Sequence, residues 1–343
     1  MTDRLVVTAS PHLKGPASTP VIMWNVVGSL VPIIIAAAWY FGVSALLVIA
    51  AATLGAVGTE AAFGRPRAIV DGSAAITGLL LGLTLPAGLP LWMAFVGGAF
   101  GIGLGKIVFG GLGYNVFNPA LLGRAFLMAA FPQALTTWPQ SGGSFFQLRG
   151  DNFALPFMAA KVDAITEATP LGLMKFEGAS TELSSLMIGS TSGSAGETAG
   201  LLILLCGGYL ALRRFLDWRI PASIFITVAA LSGAIRLIKP DAPGPLFMLF
   251  SGGLMLGAVY MATDLVTSPI THRGRWVFGF GIGVLVVVIR LWGGLPEAVM
   301  YAILLMNALV PFINKATQPR VFGTGRSTAA TAARAASASG GAK

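Results

Sequence analysis

The chain has 343 residues, of which 55% are hydrophobic and only 10% charged, with 22 lysines and arginines against 13 aspartates and glutamates. Soluble domains carry about a quarter charged residues, so this composition excludes a water-surfaced globular fold and indicates a polytopic membrane protein. The net charge of +9 comes with no basic run interleaved with aromatics, so nucleic acid is not expected as a partner.

The first twenty residues are polar, hold Arg4, Lys14 and three prolines, and form an N-terminal segment outside the bilayer. The first apolar run, Val21 to Gly42, is too long for a signal-peptide core and reads as a retained span. Taking about twenty apolar residues per crossing, spans fall near 21–42, 43–63, 73–90, 91–110 and 117–135, then 197–213, 220–238, 246–265, 276–293 and 296–314. The loop from Thr136 to Gly196 separates the two sets of five. After residue 314 comes an Ala/Ser/Gly-rich basic tail, 315–343, whose composition cannot bury a core and predicts disorder.

Lysine and arginine set the orientation. With the N-terminus in the cytoplasm, fifteen of them fall on the cytoplasmic side, six on the other, and Arg124 lies within a span. Both termini are therefore expected in the cytoplasm and the long loop outside it. Ten crossings in two sets of five predict an all-α fold of two inverted halves, 21–135 and 197–314. The third span, "SAAITGLLLGLTLPAGLP", and the eighth, "FMLFSGGLMLGAVYMATD", are both interrupted by glycine. Such interruptions at matching positions mark midplane sites in inverted-repeat proteins. Pro119 and Pro269 stand in comparable polar passages shortly after interrupted or glycine-rich spans.

Charge inside a span is expensive and points either to function or to structural pairing. Glu60, Asp71, Lys106, Arg124 and Asp264 qualify, all toward the expected cytoplasmic half. For Lys106 and Asp71, near span ends, a place at the interface or a structural pair is the expectation; Arg124 and Asp264 stand as candidate site residues. His12 and His272 are too far apart to suggest a metal site, and the lone Cys206 excludes an intrachain disulfide.

The stretches "GGLGYNVFNPALLGRAF" (110–126), "DAITEATPL" (163–171), "GSAGE" (193–197) and "GAVYMATDLVTSPIT" (257–271) together resemble the RnfD family, membrane proteins of Rnf ion-translocating electron-transfer complexes. The resemblance runs to about Gly323, and the related NqrB proteins of the sodium-pumping NADH:quinone reductase share the architecture. It implies a bacterial inner-membrane flavoprotein that relays electrons between ferredoxin and NAD, coupled to Na+ or H+ movement, among other Rnf subunits and membrane lipid. It also implies FMN joined through a phosphoester to Thr169, with Asp163, Thr166 and Ala168 at the other positions of the attachment motif. Glu167 stands where the family has glycine.

A threonine hydroxyl is a poor nucleophile without an activating base, so a separate flavin transferase is expected to make that bond. Pro170 biases Thr169 toward the extended conformation such an enzyme needs. The resemblance further implies noncovalent riboflavin in the membrane part. Tyr114, Phe117 and Tyr260 are candidates to stack on it, and Asn115, Asn118, Arg124 and Asp264 are candidates for the same site or for an ion path. The rival from another class is an inverted-repeat solute channel or transporter, for which "DAITEAT" on the outer face has no use.

Overall fold

The computed structural model describes residues 18–64, 68–156, 168–179, 181–196 and 199–319, and those residues are built from helices and their connections. Helix α1 (Thr19–Phe63) is 45 residues long and makes two passes. The chain turns at Gly42, whose φ of 67° is open to glycine and whose missing side chain leaves room for the carbonyl of Phe145. The expected boundary between the first two spans falls at this residue.

The remaining passes of the first half are α2 (Ser73–Thr84), α3 (Leu91–Ile102), which continues as a π-turn over 103–107, and α4 (Pro119–Ala130) followed by the short α5 (Pro132–Thr136). Two short helices, α6 (Pro170–Gly172) and α7 (Leu183–Ile188), lie in the long loop. The second half contains α8 (Gly200–Leu212), α9 (Arg219–Ile238), a broken pass of α10 (Pro245–Phe250) and α11 (Leu254–Leu256), then α12 (His272–Trp292) and α13 (Val299–Thr317). A π-turn over 257–261 likewise prolongs α11.

Packing repeats between the halves. The second pass of α1 meets α3 where Gly55 and Gly98 admit the backbones of Phe95 and Ala52. In the second half α9 meets α12 where Gly279 and Gly283 sit against Ser223 and Thr227. Small residues at these crossings bring helices close enough for dispersion and weak polar contacts to hold them together in lipid. Because five is odd, a second set of five passes starts from the opposite end, which gives the inverted relation. One apolar core runs through both halves, from Leu30 to Ile313. Large apolar side chains also cover the outside, Trp39 being 82% exposed and Leu212 88%. A membrane accounts for that surface where water would not, and the chain is a multi-pass membrane protein.

The third and eighth passes both break. A helix end leaves carbonyls without partners, and within a bilayer each must be satisfied by protein. At the first break, Gly196 and Ala195 donate their backbone N–H groups to the carbonyls of Leu83 and Leu85 at 2.7 and 3.2 Å. The Asn152 side-chain amide donates to the carbonyls of Ala87 and Leu89 at 2.9 and 3.0 Å. At the second break, Arg290 donates to the carbonyls of Met248 (2.5 Å) and Ser251 (2.8 Å).

The breaks lie at the end of the bundle that carries the long loop, where Gly142 donates to the Tyr40 carbonyl and Val43 to that of Phe145. Pro119 and Pro269 do not occupy matching positions of the two halves. Pro119 opens α4, the fifth pass, while Pro269 precedes Thr271, the N-cap of α12, the ninth. The N-terminal segment to residue 17 and the tail from 320 lie outside the described residues.

Candidate functional site

Thr169 has φ −65° and ψ 154°, the extended geometry expected of a residue before proline. It caps α6: its Oγ1 accepts the backbone N–H of Gly172 at 3.2 Å. The hydroxyl is half-buried and opens on a cavity of about 390 Å³. Ala168 beside it is exposed and also lines this space. Asp163, Thr166 and Glu167 of the same motif lie outside the described residues.

The cavity is walled by the rings of Trp138, Phe176 and Phe250 and by the polar run Thr191 to Ser194. Ser194 Oγ is fully buried and has no hydrogen-bond partner among the described residues. A buried hydroxyl left unpaired beside an open cavity is what a polar ligand group would satisfy. Lys175, one helical turn beyond α6, donates to the carbonyls of Gly293 and Leu295 at 2.6 and 3.1 Å. That contact ties the Thr169 segment to the connection between α12 and α13, and burial pushes the Lys175 ammonium below the ordinary lysine range.

The floor of the cavity is the break in the eighth pass. Gly252, at φ 64°, lines it. So does Glu297, whose Oε1 accepts the Gly253 N–H at 3.1 Å and whose Oε2 pairs with Arg124 Nη2 at 2.5 Å. Arg124, on α4, is 5% exposed. The expectation that Arg124 lies with Asp264 toward the cytoplasmic half therefore does not hold: it stands behind the Thr169 cavity, at the loop end. Sequence reasoning missed Glu297 and Ser194. The only signal for Ser194 was its place within "GSAGE"; Glu297 sits in a short connection and gains meaning only from partners distant in sequence.

A smaller cavity of about 90 Å³ lies between the halves toward the opposite end of the bundle. Asn115, Asn118, Tyr260 and Asp264 line it together, as do Lys106 and Ser73. Asn118 caps α4 through the N–H groups of Ala120 and Leu121 and donates across the halves to the Met261 carbonyl at 3.1 Å. Tyr260 donates to Ser29 Oγ at 3.1 Å. Asp264 accepts from the Val266 N–H and the Thr267 hydroxyl.

Lys106, 2% exposed, pairs with Glu60 and donates to Ser73 Oγ, which in turn bonds Asp71. Lys106 is thus in a structural ion pair, and Asp71 is tied to it only through Ser73. Asn115 Oδ1 is buried without a partner among the described residues. Tyr114, 69% exposed, and Phe117 are not part of this lining. Among the described residues no cluster of histidine, cysteine or carboxylate side chains could hold a metal ion.

Known proteins are similar to this sequence over most of its length. The signature of the NQR2, RnfD, RnfE family matches residues 6–323. The D subunit of the proton-translocating ferredoxin:NAD(+) oxidoreductase complex of Clostridium ljungdahlii is 40% identical, over 93% of this chain and 96% of its own length. The D subunit of the ion-translocating oxidoreductase complex of Stutzerimonas stutzeri is 43% identical over 88% and 91%. The D subunit of the Na(+)-translocating ferredoxin:NAD(+) oxidoreductase complex of Acetobacterium woodii is 37% identical over 93% and 95%. With a match over most of its length and relatives this similar, the chain belongs to the NQR2, RnfD, RnfE family.

Proposed function

We propose that the chain is the membrane flavoprotein subunit of an Rnf-type complex that moves Na+ or H+ as electrons pass between ferredoxin and NAD+. In this reading FMN is bonded to Thr169, and riboflavin occupies the smaller cavity. The chain lies in the bacterial inner membrane with both termini cytoplasmic, alongside other Rnf subunits. A flavin transferase attaches the FMN. The names of the relatives support the reaction, and one observation carries the flavin reading: the Thr169 hydroxyl opens on a large, aromatic-walled cavity with an unpaired buried hydroxyl.

The residues fit FMN. A volume of about 390 Å³ falls within the roughly 300–1,000 Å³ of ligand clefts, most of which are apolar with a few placed polar groups. At the smaller cavity the chemistry fits riboflavin, since Asn115 Oδ1 can accept from a ring N–H, but about 90 Å³ requires the lining to part before a tricyclic ring enters. The broken eighth pass contributes to both cavities: Phe250 and Gly252 line one, Val259 and Tyr260 the other.

When bound, flavins supply the one- and two-electron chemistry, and the protein supplies position, exclusion of water and electrostatics. Thr169 anchors the phosphate end at the loop side. Trp138, Phe176 and Phe250 give flat apolar walls that displace water. Ser194 offers a fixed hydrogen bond within the cavity. A threonine hydroxyl needs an activating base to act as a nucleophile, and in this reading the transferase supplies it.

The test is intact-protein mass spectrometry of the chain co-expressed with its transferase. The wild type should carry one FMN mass that Thr169→Ala lacks. A wild-type chain of unmodified mass would overturn the assignment.

A further inference from the structure

We infer that the Arg124–Glu297 ion pair tunes the redox potential of the flavin held in the Thr169 cavity, Glu297 holding it down and Arg124 opposing that effect. This rests on the reading that Thr169 carries FMN.

Among the described residues two carboxylates line the cavity, Glu177 and Glu297. Glu177 is exposed, so solvent screens it. The Glu297 carboxylate is only 18% exposed, and it is held by two charge-stabilising contacts, the Arg124 guanidinium at 2.5 Å and the Gly253 N–H at 3.1 Å. Together the two contacts occupy both oxygens of the carboxylate. Arg124 lines neither the cavity nor its mouth; it stands behind Glu297, from the other half of the fold. A ligand in the cavity therefore meets the negative member of the pair first.

Charges interact more strongly in such a poorly solvated place than in water. Reduction adds electrons to the flavin, so a fixed negative charge in the wall disfavours it and a positive one favours it. The pair is also placed to act at a defined point, because Glu297 is bonded to the break in the eighth pass while Arg290 and Lys175 fix the residues on either side. The role proposed is positioning of charge, with no atom of the flavin transferred to either residue.

The experiment is a redox titration of the intact complex, following visible absorbance, with the Thr169→Ala complex as the blank. Glu297→Gln should move the midpoint of the Thr169-dependent signal upward, and Arg124→Gln should move it downward. Removing both should leave a smaller upward shift, because the nearer charge is lost along with the farther one. Glu297→Asp, which keeps the charge, and Glu177→Gln, which removes an exposed one, should stay near wild type.

In-gel fluorescence after denaturation reports attachment separately, so loss of flavin from the wild type would fail the underlying reading and not this one. With flavin attached, an unmoved midpoint in the Gln variants, or a shift of the same sign in both single variants, would overturn the proposal. If neither single variant assembles, the double variant, which removes both members of the pair together, decides it: an unchanged or lowered midpoint sinks the idea.

Discussion

The backbone N–H of Gly196 donates to the carbonyl of Leu83 at 2.7 Å, so a loop residue closes the helix end where the third pass breaks. The contact is close enough to require glycine. A Cβ at position 196 would stand 2.7 Å from the Cβ of Leu83, which is itself fully buried. Gly196→Val is expected to cost about 1–3 kcal/mol, the usual range for overpacking a core. Detergent-solubilised protein should unfold at a lower temperature and accumulate less. Wild-type thermal stability in this variant would mean that the loop does not seal the break.

Arg290 seals the other break. It is 4% exposed and donates to the carbonyls of Met248 and Ser251. Arg290→Met fills similar space but removes both donors, and each buried carbonyl left unpaired costs about 1–3 kcal/mol. The variant should accumulate poorly and lose thermal stability, and Arg290→Lys should recover part of the loss because one donor group still reaches the carbonyls. Equal behaviour of Met and Lys would show that packing of the side chain, and not its hydrogen bonds, matters here.

Orientation is tested by single cysteines in a Cys206→Ser background. Ser144 is exposed in the long loop, and His272 is exposed at the start of α12 on the opposite end of the bundle. The distribution of basic residues puts the loop outside the cytoplasm. Ser144→Cys should react with an impermeant thiol reagent in cells with a permeable outer envelope, and His272→Cys only after lysis. The reverse pattern would overturn the topology and the side on which Thr169 is modified.

Much of this arrangement was legible in the sequence because its physics is local. Twenty-residue apolar runs, a glycine at 42 between two of them and glycines inside the third and eighth mark passes and their interruptions. Pro170 fixes the backbone of Thr169 through sterics between neighbours. The cavity behind Thr169 was not legible, because its parts come from four distant segments: the polar run 191–194, Trp138, the break at 250–253 and Glu297. Arg124 shows the limit most clearly. Its cost as a charge within a span was visible, but which end of the bundle it serves depends on Glu297, a partner 173 residues away. Hydrophobic periodicity carries no information about that pairing.

Thr169 has two roles that substitution can separate. Its oxygen caps α6 by accepting the Gly172 N–H, and in the proposed function the same oxygen bears the phosphate. Thr169→Ala removes both, so a stability loss of about 1 kcal/mol, typical of a lost N-cap, should accompany the loss of flavin. Thr169→Asn keeps a capping acceptor, since asparagine is among the best N-cap residues, but has no hydroxyl to esterify. It should therefore run as a non-fluorescent chain after denaturing electrophoresis while recovering most of the thermal stability of the wild-type chain prepared without its transferase. Thr169→Ser keeps both the cap and a hydroxyl, and should retain fluorescence to the extent that the transferase accepts a primary alcohol. A fluorescent Thr169→Asn chain would move the bond to another residue. A chain that loses fluorescence in Asn and Ala alike, yet shows equal instability in both, would confine the role of Thr169 to attachment and remove the cap from the account.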